Sequence, residues 1–156
     1  MLKRWLRYLP AGLILAAAVL ALVWLVRPRS FTEFAPVEQS TEFYIYTTSA
    51  QVGGHEFREA RPDREEIAPL LELLETGSLR LKGRARNIMW DAEETLFSLS
   101  FCHIEGTGWV EDAGFDLCTD GMVYTHHDWL GFLAYELRGC DMDPIEAELL
   151  RLLGIS

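Results

Sequence analysis

Every residue from Leu9 to Val26 is uncharged, and no polar stripe interrupts the run. At 1.5 Å of rise per residue a helix of that length reaches about 27 Å, close to the roughly 30 Å hydrocarbon thickness of a bilayer. The pattern therefore predicts a transmembrane helix over 9–26. Lys3, Arg4 and Arg7 precede it, and Arg27 and Arg29 follow. The heavier basic flank puts the N-terminus in the cytoplasm and the remainder of the chain outside. A cleaved signal peptide starts in the same way, but its apolar region runs for about 7 to 15 residues and ends at a small-x-small site. Val26-Arg27-Pro28-Arg29 offers no such site. A buried core helix would need a domain able to enclose it on every side.

Beyond the apolar run the period changes. Ser30 to Ser40 is poor in aliphatics and contains Pro36, so residues 27–40 read as a linker. Glu42 to Thr48 alternates, with Phe43, Ile45 and Thr47 on one face and Tyr44 and Tyr46 on the other, which predicts a strand. Gln51 to Gly54 supplies a turn, and His55 to Glu59 a return strand. Asp63 and Glu66 have capping-box spacing, Ile67, Leu70, Leu71 and Leu74 fall on one helical face, and Gly77 stops the helix. Pro69 would remove a hydrogen bond at that depth, so regular helix is expected only from about Ala68.

Three further strands follow by alternation. Leu79 to Arg86 turns Arg80, Lys82, Arg84 and Arg86 to one face, and Thr95 to Ile104 turns Phe97, Leu99 and Phe101 to the core. Asp120-Gly121 marks a two-residue hairpin between Phe115–Thr119 and Met122–Thr125. Residues 128–138 suit a strand, with Leu133, Tyr135 and Leu137 on one face, or a helix. A closing helix takes Asp143 as N-cap, Pro144 at its first position and Leu149, Leu150, Leu152 and Leu153 as its apolar side. Strands flanking helices without βαβ alternation define an α+β class, here a transmembrane helix and then a small antiparallel sheet packed with one or two helices. The chain divides into a basic flank (1–8), the span (9–26), the linker (27–40) and one domain (41–156).

This layout of anchor helix, linker, strand pair, Asp63-to-Ile67 leucine helix, meander with an Asp-Gly hairpin and C-terminal leucine helix resembles the small uncharacterised membrane-anchored domains of Gram-positive bacteria. The resemblance implies a location and an α+β fold, and carries no activity with it.

Charge is split between the two parts. Residues 1–30 hold five of the 14 basic residues and no acid, leaving nine bases with all 24 acids in residues 31–156, a net charge of −15. Such a domain repels nucleic acid and anionic lipid over a Debye length, which excludes DNA and RNA as partners. The exception is the row Arg80, Lys82, Arg84 and Arg86, which repels itself unless acidic neighbours or a partner's negative surface answer it. With Trp109, read as a residue of a glycine-bounded loop, this row forms the candidate partner contact.

Catalytic and metal signals are weak. Cys102-His103 and His126-His127 contain ligand types without any spacing that places two of them on one metal. Cys102 and Cys118 fit the outer faces of adjacent strands, where a disulfide is an option, with Cys140 left over. No nucleophile elbow or phosphate-binding loop occurs. No cofactor or metal is expected, and no residue is assigned a catalytic role.

The expected function is accordingly a single-pass, membrane-anchored extracytoplasmic domain acting as a non-catalytic binding, sensory or assembly module. Its partners are the bilayer through residues 9–26 and an unidentified protein or cell-envelope component. That reading expects a contact surface near the cationic row and no deep polar pocket. The alternative is a metal- or thiol-dependent enzyme, which needs Cys102, His103, His126 or His127 to converge.

Overall fold

In the computed structural model, residues 9–35, 37–49, 56–85, 96–127 and 131–155 are described. The expected Gln51–Gly54 turn, Arg86 and Thr95 lie outside them. Four helices occur among the described residues: α1 (Leu9–Val26), α2 (Phe31–Phe34), α3 (Arg64–Glu75) and α4 (Met142–Leu152). The strands are β1 (Glu42–Ser49), β2 (Glu56–Ala60), β3 (Ser78–Arg84), β4 (Leu96–Glu105), β5 (Gly108–Cys118), β6 (Met122–His127) and β7 (Gly131–Arg138). They form a seven-stranded sheet in the order β2-β1-β4-β5-β6-β7-β3, antiparallel throughout. The α+β class is as expected, and residues 131–138 are strand.

Alternation places the core. Phe43 and Ile45 of β1, Phe97, Leu99 and Phe101 of β4, Phe115 and Leu117 of β5, and Tyr135 and Leu137 of β7 are buried on one face, beneath Ile67, Leu70 and Leu74 of α3 and Ile145 and Leu149 of α4. The register pairs Phe43 with Phe101 and Ile45 with Leu99. Slipping it by one residue would turn these side chains to the opposite face.

Helix α3 is continuous from Arg64 through Pro69, a full turn earlier than the proline suggests. Its first turn is held by the capping box: the Glu65 and Glu66 N–H groups donate to Asp63, both at 2.9 Å, and Asp63 N–H donates to Glu66 at 3.0 Å. Ile67 and Leu70, fully buried on either side of the proline, contribute about 2 kcal/mol each and offset the missing bond. Helix α4 is capped by Asp141, not Asp143; the Asp141 carboxylate accepts from the Asp143 N–H at 3.2 Å. Pro144 then falls within the first turn, where no N–H has an intrahelical partner.

The β5–β6 connection is a three-residue loop, Thr119–Gly121, rather than a two-residue turn. Gly121 N–H donates to the Cys118 carbonyl at 2.9 Å, and only the glycine takes a left-handed φ, +83°. This is a turn closed by a glycine bulge, a geometry that leaves Asp120 in an ordinary conformation.

The segment assigned as a linker is folded. Ser30 caps α2, accepting from the Glu33 N–H at 3.2 Å. Phe31 packs edge-on against Phe101 and Phe115 at 6.2 and 5.3 Å between ring centres, and Ala35, Val37 and Ser40 are buried. Arg64 clamps the following turn, donating to the carbonyls of Val37 at 2.8 Å and Ser40 at 3.3 Å.

Helix α1 forms over the expected residues. Its side chains are described from Gly12 to Trp24 and at Val26, and among the described residues no helix is long and apolar enough to cross a membrane. The length read from the sequence also counts Leu9, Pro10, Ala11 and Leu25. The transmembrane part of the expected fold is thus unsupported by the described helices.

Candidate functional site

Strands β5 and β6 pair only at Asp116–Tyr124 and Leu117–Val123. Above that point β5 continues beside β4 and β6 beside β7, so the two halves of the sheet diverge. The divergence opens a cleft of about 540 Å³, with Ser98, Asp116, Tyr46 and Tyr124 among its walls and Arg29 and Phe34 from the segment after α1. The Ser98 hydroxyl donates to Asp116. Burial pushes the Asp116 carboxyl up, against the lowering effect of that bond. The Arg29 Nε is buried with no hydrogen-bond partner among the described residues. No histidine or cysteine is among the described lining residues, and the cleft offers polar contacts for a small ligand. A half-open polar cleft was not read from the sequence; it lies where β5 pairs with β4 and β6 with β7 beyond their short mutual pairing.

A second polar cluster sits where β5 bulges. The register steps from Phe101–Ala113 to Cys102–Glu111, leaving Asp112 as the extra residue. Its carboxylate, 7% exposed, meets His103 Nδ1 at 2.6 Å and accepts from the Ser40 hydroxyl at 2.7 Å. The Ser40 bond foremost, with the His103 bond and charge, holds the Asp112 carboxyl below the usual range.

The cationic row is reorganised by a bulge of its own. Leu81 pairs with Tyr135 and Gly83 with Ala134, so Lys82 is the extra residue and Gly83 takes a φ of +145°. Arg84 consequently sits opposite Leu133 and shifts out of the alternation that Arg80 and Lys82 share, so the single-face row expected from spacing is broken. Arg80 lies opposite Glu136, which receives Lys82 Nζ at 2.9 Å and the Arg138 guanidinium at 2.7 Å. Those two bonds pull the Glu136 carboxyl down to about 2. Arg80 and Arg84 are exposed without an ion pair among the described residues. Arg86 lies outside the described residues.

Trp109 stands in β5 opposite Ile104, not in a loop. It is 53% exposed, and its ring lies 4.9 Å from that of Tyr44, over which Arg61 also sits at 4.9 Å. Sequence reasoning missed the early half of β5 because its acidic, glycine-bounded residues lack apolar alternation.

The Cys/His cluster does not assemble from the residues the structure places. Cys102 and His103 are consecutive on β4 and point to opposite faces. The side chains of His126 and His127 are not among those described. Among the described residues no three His, Cys, Asp or Glu side chains come together as a metal site. Cys102 is opposite Glu111 and Cys118 opposite Leu96, a separation of about 20 Å along the strands. The expected Cys102–Cys118 disulfide option is therefore closed by the strand register. Burial, with the Glu111 charge second, pushes the Cys102 thiol up, away from the reactive thiolate.

These features define an α+β protein with one seven-stranded antiparallel sheet and a polar cleft between its halves. Comparison with protein-family models, curated proteins and solved structures gives no match.

Proposed function

We propose that the chain is a single-pass membrane protein whose α+β domain lies outside the cytoplasm and acts as a non-catalytic binding, sensory or assembly module. The observation that carries this reading is the exposure of the described side chains of α1. Leu13, Ile14 and Leu20 are 65%, 71% and 69% exposed, and Val19, Val23 and Trp24 are exposed as well. Apolar surface on all sides of a helix is stable in lipid and unfavourable in water, at roughly 25 cal/mol per Å². The basic residues of the N-terminal flank supply the orientation. The binding role is supported by the polar walls of the β5–β6 cleft, which offer contacts for a small ligand.

The test is fractionation of the full-length protein with alkaline carbonate. Retention in the membrane pellet and release by detergent are expected; recovery in the soluble fraction with residues 1–30 intact would overturn the anchor. Orientation is read from Glu72→Cys, an exposed position on α3. A membrane-impermeant maleimide should modify it in intact cells, whereas modification only after lysis would put the domain in the cytoplasm.

A further inference from the structure

Strand β3 has a fixed direction relative to α1. Arg29 and Leu79 exchange backbone hydrogen bonds in an antiparallel bridge, at 3.0 and 2.8 Å. Because the bridge is antiparallel, β3 continues from Leu79 through Arg80, Lys82 and Arg84 toward the side from which α1 arrives, and α1 is in contact with it. At about 3.3 Å per residue Arg84 reaches roughly 15 Å past Leu79 toward the side from which α1 enters. Trp24 is packed there under the Arg29 guanidinium, 4.3 Å from the ring centre. Ala85 N–H donates to Phe132 of β7 at 3.0 Å, which brings an aromatic side chain 47% exposed to the same end of the sheet.

We propose that this end of the sheet rests on the bilayer that holds α1, with Arg80, Lys82 and Arg84 against the phosphates of anionic phospholipid headgroups and Phe132 at interfacial depth. The inference rests on the anchor reading and adds the surface and the ligand chemistry to it. Charge complementarity favours it. The net charge of −15 over residues 31–156 repels anionic lipid at long range, and the exposed Arg80 and Arg84 of β3, on the strand that Leu79 bridges to Arg29, are the local exception to it. Glu136 on the neighbouring strand answers Lys82 and Arg138, which leaves Arg80 and Arg84 with charge to offer. An aromatic ring beside cations at the end of an anchor is the composition of an interfacial contact.

Full-length protein carrying Cys140→Ser and a fluorophore at either Phe132→Cys or Glu72→Cys is reconstituted into vesicles of phosphatidylcholine, with or without about a third phosphatidylglycerol, containing a headgroup-attached quencher. Quenching at position 132 should exceed that at 72 by at least about twofold with phosphatidylglycerol present. The excess should shrink in half-molar salt and in the triple variant Arg80→Gln/Lys82→Gln/Arg84→Gln. Salt provides the same test without any substitution. Co-flotation with vesicles but equal quenching at the two sites, or quenching indifferent to phosphatidylglycerol, overturns this inference alone. Failure to co-float overturns the anchor reading and this one with it.

Discussion

The Ser40 hydroxyl donates to the Asp112 carboxylate at 2.7 Å across 72 residues of sequence. This bond fastens the chain leading into β1 to the bulge of β5, and the same carboxylate holds His103. Ser40 is fully buried, so Ser40→Ala removes a donor from an enclosed charge. It should lower unfolding free energy by about 1 to 2 kcal/mol, read by chemical denaturation of the full chain in detergent. Unchanged stability would mean that water replaces the hydroxyl.

Phe31 tests whether the segment before β1 belongs to the core. Its ring meets Phe101 and Phe115, and α2 presents it directly after the cap at Ser30. Phe31→Ala should cost about 3 to 5 kcal/mol, the range for a buried aromatic deletion. A free tether at this position would tolerate the change within about 0.5 kcal/mol.

Asp116 has the opposite sign from most carboxylates in its effect on stability. Burial raises its folded pKa above the unfolded value, so between those two values the folded state holds more protons. Stability contributed by the neutral acid is thus lost as pH rises through the folded pKa. Asp116→Asn retains an acceptor for Ser98 and should raise the melting temperature at neutral pH. It should also flatten the decline in stability above about pH 4. A melting profile parallel to wild type at all pH values would reject this account.

Cys102 and Cys118 are separated by the register of β4 and β5. Alkylation of the full chain under denaturing conditions should therefore recover three reduced thiols, with no mass change on prior reduction. Detection of a Cys102–Cys118 linked peptide would require a different strand pairing.

Much of this architecture is written in local patterns. The alternation of Phe43, Ile45 and Thr47 and of Phe97, Leu99 and Phe101 sets two strands and their core faces, because a residue's face depends only on the pleat. The Asp63–Glu66 capping box starts α3 for a similarly local reason, as both hydrogen bonds close within one turn. The Ser30-to-Glu33 spacing was a usable sign of the short α2, obscured by the surrounding prolines and the shortage of aliphatic residues.

What the chain did not disclose depends on contacts between distant elements. Two bulges, at Lys82 and Asp112, move Arg84 out of its expected row and aim a carboxylate at Ser40 and His103; a bulge is defined by the partner strand, and no local pattern records it. The cleft likewise exists because β5 follows β4 while β6 follows β7. The antiparallel bridge of Arg29 to Leu79 decides which way the cations of β3 run. The apolar length of residues 9–26 and the acidity of the rest were determined by sequence, since each is a sum over side chains; the cleft, the ion pairs and the direction of β3 were decided by tertiary structure, since each depends on which strands lie side by side.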